Sequence, residues 1–223
     1  MVLIMVAMPN VKRLYDTVIS EHLENYRQMA FICGPRQVGK TTTSRNFADY
    51  FKNWDNIDDR KILLADPEKL ASALKLDELR ETPPVALFDE LHKNARWKEL
   101  LKGLYDSYQE SVKVIVTGSS RLDTYQRVGD SMMGRYFLYR MHPFTVAETL
   151  DTSLPDHETL IRKPTEPDDS SFSALWKFGG FPEPFLRRDA RFARKWRSLR
   201  TRQLLREDVR DLTQIQHLDQ LEM

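Results

Sequence analysis

Apolar residues recur with three different spacings along this chain. Between Asn10 and Tyr26, the residues Val11, Leu14, Tyr15, Val18, Ile19, Leu23 and Tyr26 fall at intervals of three and four, which predicts an amphipathic helix lying on a sheet. Short continuous runs follow at Gln28–Cys33, suited to a buried strand, and at Val85–Phe88, suited to a strand buried on both faces, then a β-branched run at Val112–Thr117 and a fifth strand at Tyr136–Arg140. Tyr50–Asp55 instead alternates large apolar and polar residues, as a half-covered strand does. Trp97, Leu100, Leu101, Leu104 and Tyr108 return to helical spacing. Lys61–Arg80 reads as helix broken at Asp66-Pro67, with Pro67 placed in a first turn, and Pro83-Pro84 closes it. The acids Asp55, Asp58 and Asp59 suit turn and cap positions better than a metal site. Strands alternating with helices predict an α/β fold with a parallel sheet.

The pattern changes after about residue 150. Asp151–Ser171 is rich in Pro, Asp, Ser and Thr and reads as an exposed connection. Trp176–Pro184 predicts a short helix, a glycine C-cap and a Pro-rich turn. From Arg187 to Arg210 there are ten Lys/Arg and three Asp/Glu, while Phe192, Trp196, Leu199, Leu205, Val209 and Leu212 form an apolar helical stripe. One face then packs and the other is strongly basic. It suits the phosphates of DNA or RNA, a solvated surface, or an acidic protein partner. The resulting division is an N-terminal segment and helix over 1–27, an α/β core over 28–150, and a linker with a smaller helical part over 151–223.

Composition narrows this only a little. With 34 Lys/Arg and 33 Asp/Glu in 223 residues, no whole-protein field draws the chain to nucleic acid or an acidic membrane. The single cysteine, Cys33, excludes an internal disulfide and fits a reducing compartment. Met1–Met8 is apolar but has no basic leader or cleavage site and is too short to span a bilayer, so a soluble cytoplasmic protein is expected.

The chemistry is concentrated in Gly34-Pro35-Arg36-Gln37-Val38-Gly39-Lys40-Thr41, between a predicted strand and a segment from Thr41 to Phe51 that can begin as a helix. Two glycines separated by four residues, followed by Lys and Thr, let successive backbone N–H groups turn toward a phosphate. Gly34 through Thr42 form the candidate nucleotide cradle. Lys40 reaches the β- and γ-phosphates, and the Thr41 hydroxyl completes the coordination of Mg²⁺. About fifty residues on, the apolar run Val85–Phe88 ends in Asp89-Glu90, at the sheet edge where ligands of parallel sheets bind. Asp89 is the second Mg²⁺ candidate and Glu90 the candidate base for an attacking water. His92 and Lys93 continue off that tip as surface positions. The run ending in Thr117 leads to Gly118-Ser119-Ser120, which makes Ser119, with Thr117 second, the candidate contact to the γ-phosphate or the water.

With these tips in place the chain resembles the AAA-type ATPases of the AAA+ P-loop NTPase superfamily. It most resembles the prokaryotic family that carries a C-terminal domain of unknown function after the ATPase core. The resemblance rests on GPRQVGKTT at 34–42, LFDELHK at 87–93, VTGSSR at 116–121, GRYFLYRMHPFTVAE at 134–148 and GGFPEPF at 179–185. It implies a five-stranded parallel sheet of order 5-1-4-3-2 flanked by helices, a small helical lid, and truncation before a further C-terminal domain. It also implies ATP and Mg²⁺ as ligands, assembly with copies of itself, and an arginine supplied by a neighbouring subunit, for which Arg135 and then Arg121 are the candidates. The leading functional expectation is a Mg-dependent ATPase that couples hydrolysis to conformational change. The alternative is a nucleic-acid- or protein-binding module in which nucleotide is a structural or regulatory ligand. No Asn/Thr-Lys-x-Asp guanine-recognition sequence occurs, which disfavours a GTPase.

Overall fold

A computed structural model describes residues 11–78, 80–118, 132–150, 152–154 and 165–203. They fall into two compact units, one of residues 12–142 with 152–154, the other of Val11, 143–150 and 165–203.

The larger unit is built on five parallel strands: β1 (Met29–Cys33), β2 (Tyr50–Asn53), β3 (Val85–Asp89), β4 (Lys113–Thr117) and β5 (Tyr136–Arg140). Their order is β2-β3-β4-β1-β5, which is the expected order seen from the opposite edge. Every residue of β1 is buried, whereas the edge strands β2 and β5 are only partly covered.

Side chains alternate between the two faces with period two. Met29, Phe31, Cys33, Ala86, Phe88, Val114 and Val116 pack on one face with Leu70 and Leu74 of α4 (Pro67–Ala73) and its C-cap, and with Leu100, Leu101 and Leu104 of α5 (Trp97–Tyr108). Ala30, Ile32, Leu87 and Ile115 face the other way, against Ile19 and Leu23 of α1 (Leu14–Asn25). Each large side chain fully buried in this way stabilises the fold by about 1.5–3 kcal/mol.

The helix of the first crossover is shorter than the sequence predicts. Helix α2 (Lys40–Arg45) ends after six residues, where the sequence predicts that it runs on toward Phe51. Three threonines at its start and Asn46 at its C-cap give it poor propensity, and the chain turns at once into β2. Helix α3 (Ile57–Leu63) is capped by Asn56, whose side-chain oxygen accepts from the N–H groups of Asp58 and Asp59. Among the described residues no group of His, Cys, Asp and Glu side chains suits a metal ion by itself.

The smaller unit holds α6 (Val146–Leu150), α7 (Asp169–Phe178), α8 (Pro182–Arg187) and α9 (Ala190–Gln203) around Phe144, Ala174, Phe178, Phe185 and Ala193. Residues 182–187, expected as a Pro-rich turn, are a helix. Pro182 stands at its first position, where a missing N–H costs nothing. A Cβ on Gly180 would lie 2.2 Å from the Phe144 carbonyl oxygen, so the Gly179-Gly180 pair does more than end α7. The inward face of α9 is Ala193, Trp196 and Arg200; Leu199, expected in its apolar stripe, is 53% exposed. The expected stripe members Leu205, Val209 and Leu212 lie outside the described residues. Among the described residues no helix is long and apolar enough to cross a membrane.

Candidate functional site

Strand β1 delivers the chain into the loop at its C-terminal end, between β4 and β5. Gly34 is needed there for a reason the sequence does not show. Its φ is +142°, and a Cβ would sit 2.3 Å from the carbonyl oxygen of Met141, just past β5. Gly39, at φ +102°, turns the loop into the first turn of α2. The Lys40 ammonium is buried and donates to the carbonyls of Gly34 and Pro35 at 3.0 and 2.8 Å, so it lies within its own loop.

A buried arginine fastens this loop from outside. The Arg13 guanidinium, just before α1, donates to the Val38 carbonyl at 2.9 Å and to the His142 carbonyl at 2.8 Å. Its two partners lie 25 and 129 residues away in sequence, so no local pattern announces it.

Opposite the loop, β3 presents Asp89, with 5% of its surface exposed. The Thr41 hydroxyl donates toward both Asp89 carboxylate oxygens at 3.0 Å, and the Thr117 hydroxyl donates to Oδ1 in a short contact. Register explains the meeting: Asp89 pairs with Thr117 across β3 and β4, and Thr41 lies in the opening turn of α2. Burial pushes the Asp89 carboxyl above the usual carboxylate range. The hydrogen bonds from Thr117 and Thr41 pull the other way, and the Glu90 charge adds to the rise. Burial wins. A buried carboxylate beside a hydroxyl is a pair of hard oxygen donors whose charge a divalent cation would compensate.

Glu90 follows at the strand tip with φ +56°, a left-handed conformation that costs a residue bearing a Cβ about 1–3 kcal/mol. Its N–H donates to the Thr117 carbonyl at 3.0 Å, which fixes the tip. Its carboxylate lies 3.3 Å from the Lys93 ammonium and 3.7 Å from His92 Nε2. Lys93 also reaches Asp55, at 2.6 Å, so one ammonium bridges the β3 tip and the turn after β2. His92 and Lys93 are therefore not bland surface positions: His92 is buried, and Lys93 holds the carboxylate of the candidate base.

The remaining candidates separate. Thr117 is fully buried against Asp89; Ser119 and Arg121 lie outside the described residues. Arg135 precedes β5, and its carbonyl accepts from Met29 N–H at the N-terminal edge of the sheet. A five-residue strand separates that edge from the loop, about 16 Å. Within one chain Arg135 does not join the Thr41–Asp89 pair; it forms a two-pronged ion pair with Asp106, at 2.7 and 3.1 Å.

Known proteins supply the family. No curated protein sequence matches the chain. Among solved structures, a DNA polymerase III gamma-subunit-related protein of Thermotoga maritima aligns at 11% identity and TM-score 0.39, covering 82% of this chain and 57% of its own. A single-substitution variant of Thermotoga maritima RuvB aligns at 18% identity and TM-score 0.43, covering 78% and 57%. The chain thus spans little more than half the length of either. A family profile described as "AAA domain" matches residues 26–150, from just before β1 to the end of α6 and over more than half of the chain. On that match, with the loop between β1 and α2 facing the acidic tip of β3, the chain belongs to the AAA domain family of nucleotide-binding P-loop ATPases.

Proposed function

We propose that this chain binds ATP with Mg²⁺ and couples ATP hydrolysis to a change of conformation. The observation that carries the reading is the 3.0 Å contact between the Thr41 hydroxyl and the Asp89 carboxylate, within the span one cation requires. Residues Gly34–Thr42 surround the phosphates with backbone N–H groups, and Lys40 exchanges the carbonyls of Gly34 and Pro35 for phosphate oxygens. Thr41 and Asp89 hold Mg²⁺, which supplies charge neutralisation on the β- and γ-phosphates. Glu90 orients a water and takes its proton, for which it parts from Lys93. Thr117 fixes Asp89, and Ser119, two residues beyond it, contacts the γ-phosphate. Arg135 acts on a neighbouring copy after leaving Asp106, so the active form is a homo-oligomer.

Steady-state ATP turnover of the wild type and of Glu90→Gln tests this. The variant retains ATP affinity and loses turnover by about a hundredfold or more, within the range of general-base loss. Equal turnover removes Glu90 from its role. Saturable ATP binding without turnover by the wild type favours the second reading, nucleotide as a regulatory ligand of a binding module, which the acid-free cationic helix α9 supports.

A further inference from the structure

Helix α9 carries six Lys/Arg and no carboxylate over Ala190–Gln203. Extended back to the end of α8, residues 187–203 hold eight cationic side chains and one acid, Asp189. That acid is used locally: its carboxylate accepts from the N–H groups of Arg191 and Phe192 at 2.8 and 3.1 Å and caps the helix. The chain as a whole balances 34 Lys/Arg with 33 Asp/Glu, so the excess is a segregation of charge and not a general basicity. Ordinary solvated faces intersperse the two signs.

The buried residues Ala193, Trp196 and Arg200 define the inward face. At 100° per residue the opposite face presents Arg191, Arg194, Lys195, Ser198 and Arg202, all exposed, in a stripe about 16 Å long. Among the described residues no carboxylate forms an ion pair with Arg191, Arg194, Lys195 or Arg202. Seven of the eight cations are arginine. A guanidinium is weakly hydrated and offers a planar fork that matches two phosphate oxygens, whereas a surface serving only solubility has no reason to prefer it to lysine. Duplex nucleic acid is the polyanion with a matching form, a rigid rod with one charge per about 1.7 Å of axis. The stripe holds no Asn or Gln to read adenine edges.

We propose that the outward face of α9 binds the phosphate backbone of duplex nucleic acid without regard to sequence. This goes beyond the nucleotide site and does not depend on ATP being hydrolysed. The test is fluorescence anisotropy with a labelled 20-base-pair DNA duplex, titrated between 50 and 200 mM KCl. Four phosphate contacts give a slope of log K against log salt of about −4. The triple variant Arg191→Gln, Arg194→Gln, Lys195→Gln keeps good helix formers, and circular dichroism verifies its fold. It lowers the slope to about −1 and weakens binding at 100 mM KCl about tenfold or more. Its affinity for a fluorescent ATP analogue, measured in parallel, stays at the wild-type value, which separates loss of this face from loss of the nucleotide site. A scrambled duplex sequence binds equally. The proposal is overturned if the wild type shows no saturable duplex binding at 50 mM KCl, if the variant keeps the wild-type slope, or if polyglutamate at equal charge concentration displaces the duplex, which assigns the face to an acidic protein.

Discussion

Replacing Asp89 by Asn should stabilise the ligand-free protein while disabling it. Asp89 is almost fully buried, and its charge is favoured by the hydroxyl donors Thr41 and Thr117 and by the Lys40 cation. Burial outweighs those donors, since it holds the carboxyl above the usual range. A group whose folded pKa is raised costs nothing while it is protonated in both states, below the ordinary carboxylate range. The cost develops as pH rises above the ordinary carboxylate range and is complete once pH has passed the shifted pKa. Asparagine keeps the shape and one acceptor, and either hydroxyl can rotate to accept from its amide. Removing a buried, poorly compensated charge at a functional site is worth about 1 kcal/mol, or roughly 2–4 °C in Tm for a chain of this size. Thermal unfolding in EDTA should therefore show Asp89→Asn melting above the wild type at pH 7, with the gap closing toward about pH 4. With ATP and Mg²⁺ at about a hundred times Kd, the wild type should gain about 2.7 kcal/mol. The variant should lose the part of that gain that requires Mg²⁺. A variant that melts below the wild type in EDTA would refute the reasoning, because it would make Asp89 a structural acceptor and not a carboxylate waiting for a cation.

Other perturbations probe different parts of the molecule. Lys93→Met removes the bridge between Glu90 and Asp55; a partly exposed pair is worth about 0.2–1 kcal/mol, so saturating turnover should rise by roughly 1.4- to fivefold, and a fall would make Lys93 an aid to Glu90 and not its restraint. His22 is buried between the Tyr139 hydroxyl and the Gln28 carbonyl, at 2.9 and 2.8 Å, and burial lowers its pKa. Its neutral form is the folded one, so stability is full above the ordinary pKa of 6.5 and declines as pH falls below it. His22→Gln should flatten the change in Tm between pH 7 and pH 5, and an unchanged slope would assign the acid sensitivity elsewhere. Gly180→Ala places a Cβ 2.2 Å from the Phe144 carbonyl oxygen and should destabilise the helical unit by about 1–3 kcal/mol, seen as faster proteolysis there; wild-type resistance would show that the backbone yields.

What could be read from the sequence is what local chemistry and periodicity encode. Strands β1, β3 and β4 were legible because burial on both faces leaves no polar position to interrupt them. The loop was legible because its glycines and Lys40-Thr41 have fixed spacing. The devices that hold the site were not, because each joins positions far apart in the chain. Arg13 reaches Val38 and His142, Lys93 reaches Asp55 across 38 residues, and Gly34 answers to Met141. An arginine before a helix or a lysine after a strand tip has the same local signature whether it is solvated or clamped. Pro182 was misread because a proline that opens a helix and one that makes a turn look alike until the following residues are seen packed. The stripe on α9 departs from expectation at Leu199 because Arg200 is buried on the inward face instead, with its guanidinium 5.9 Å from the centre of the Phe181 ring.

The account stands most directly on whether the Gly34–Thr41 loop takes up a nucleotide. A calorimetric titration of the intact chain with ATP in Mg²⁺ should show saturable binding of one nucleotide per chain, abolished by Lys40→Ala. No saturable heat from the wild type, or the same affinity in the variant, would contradict it.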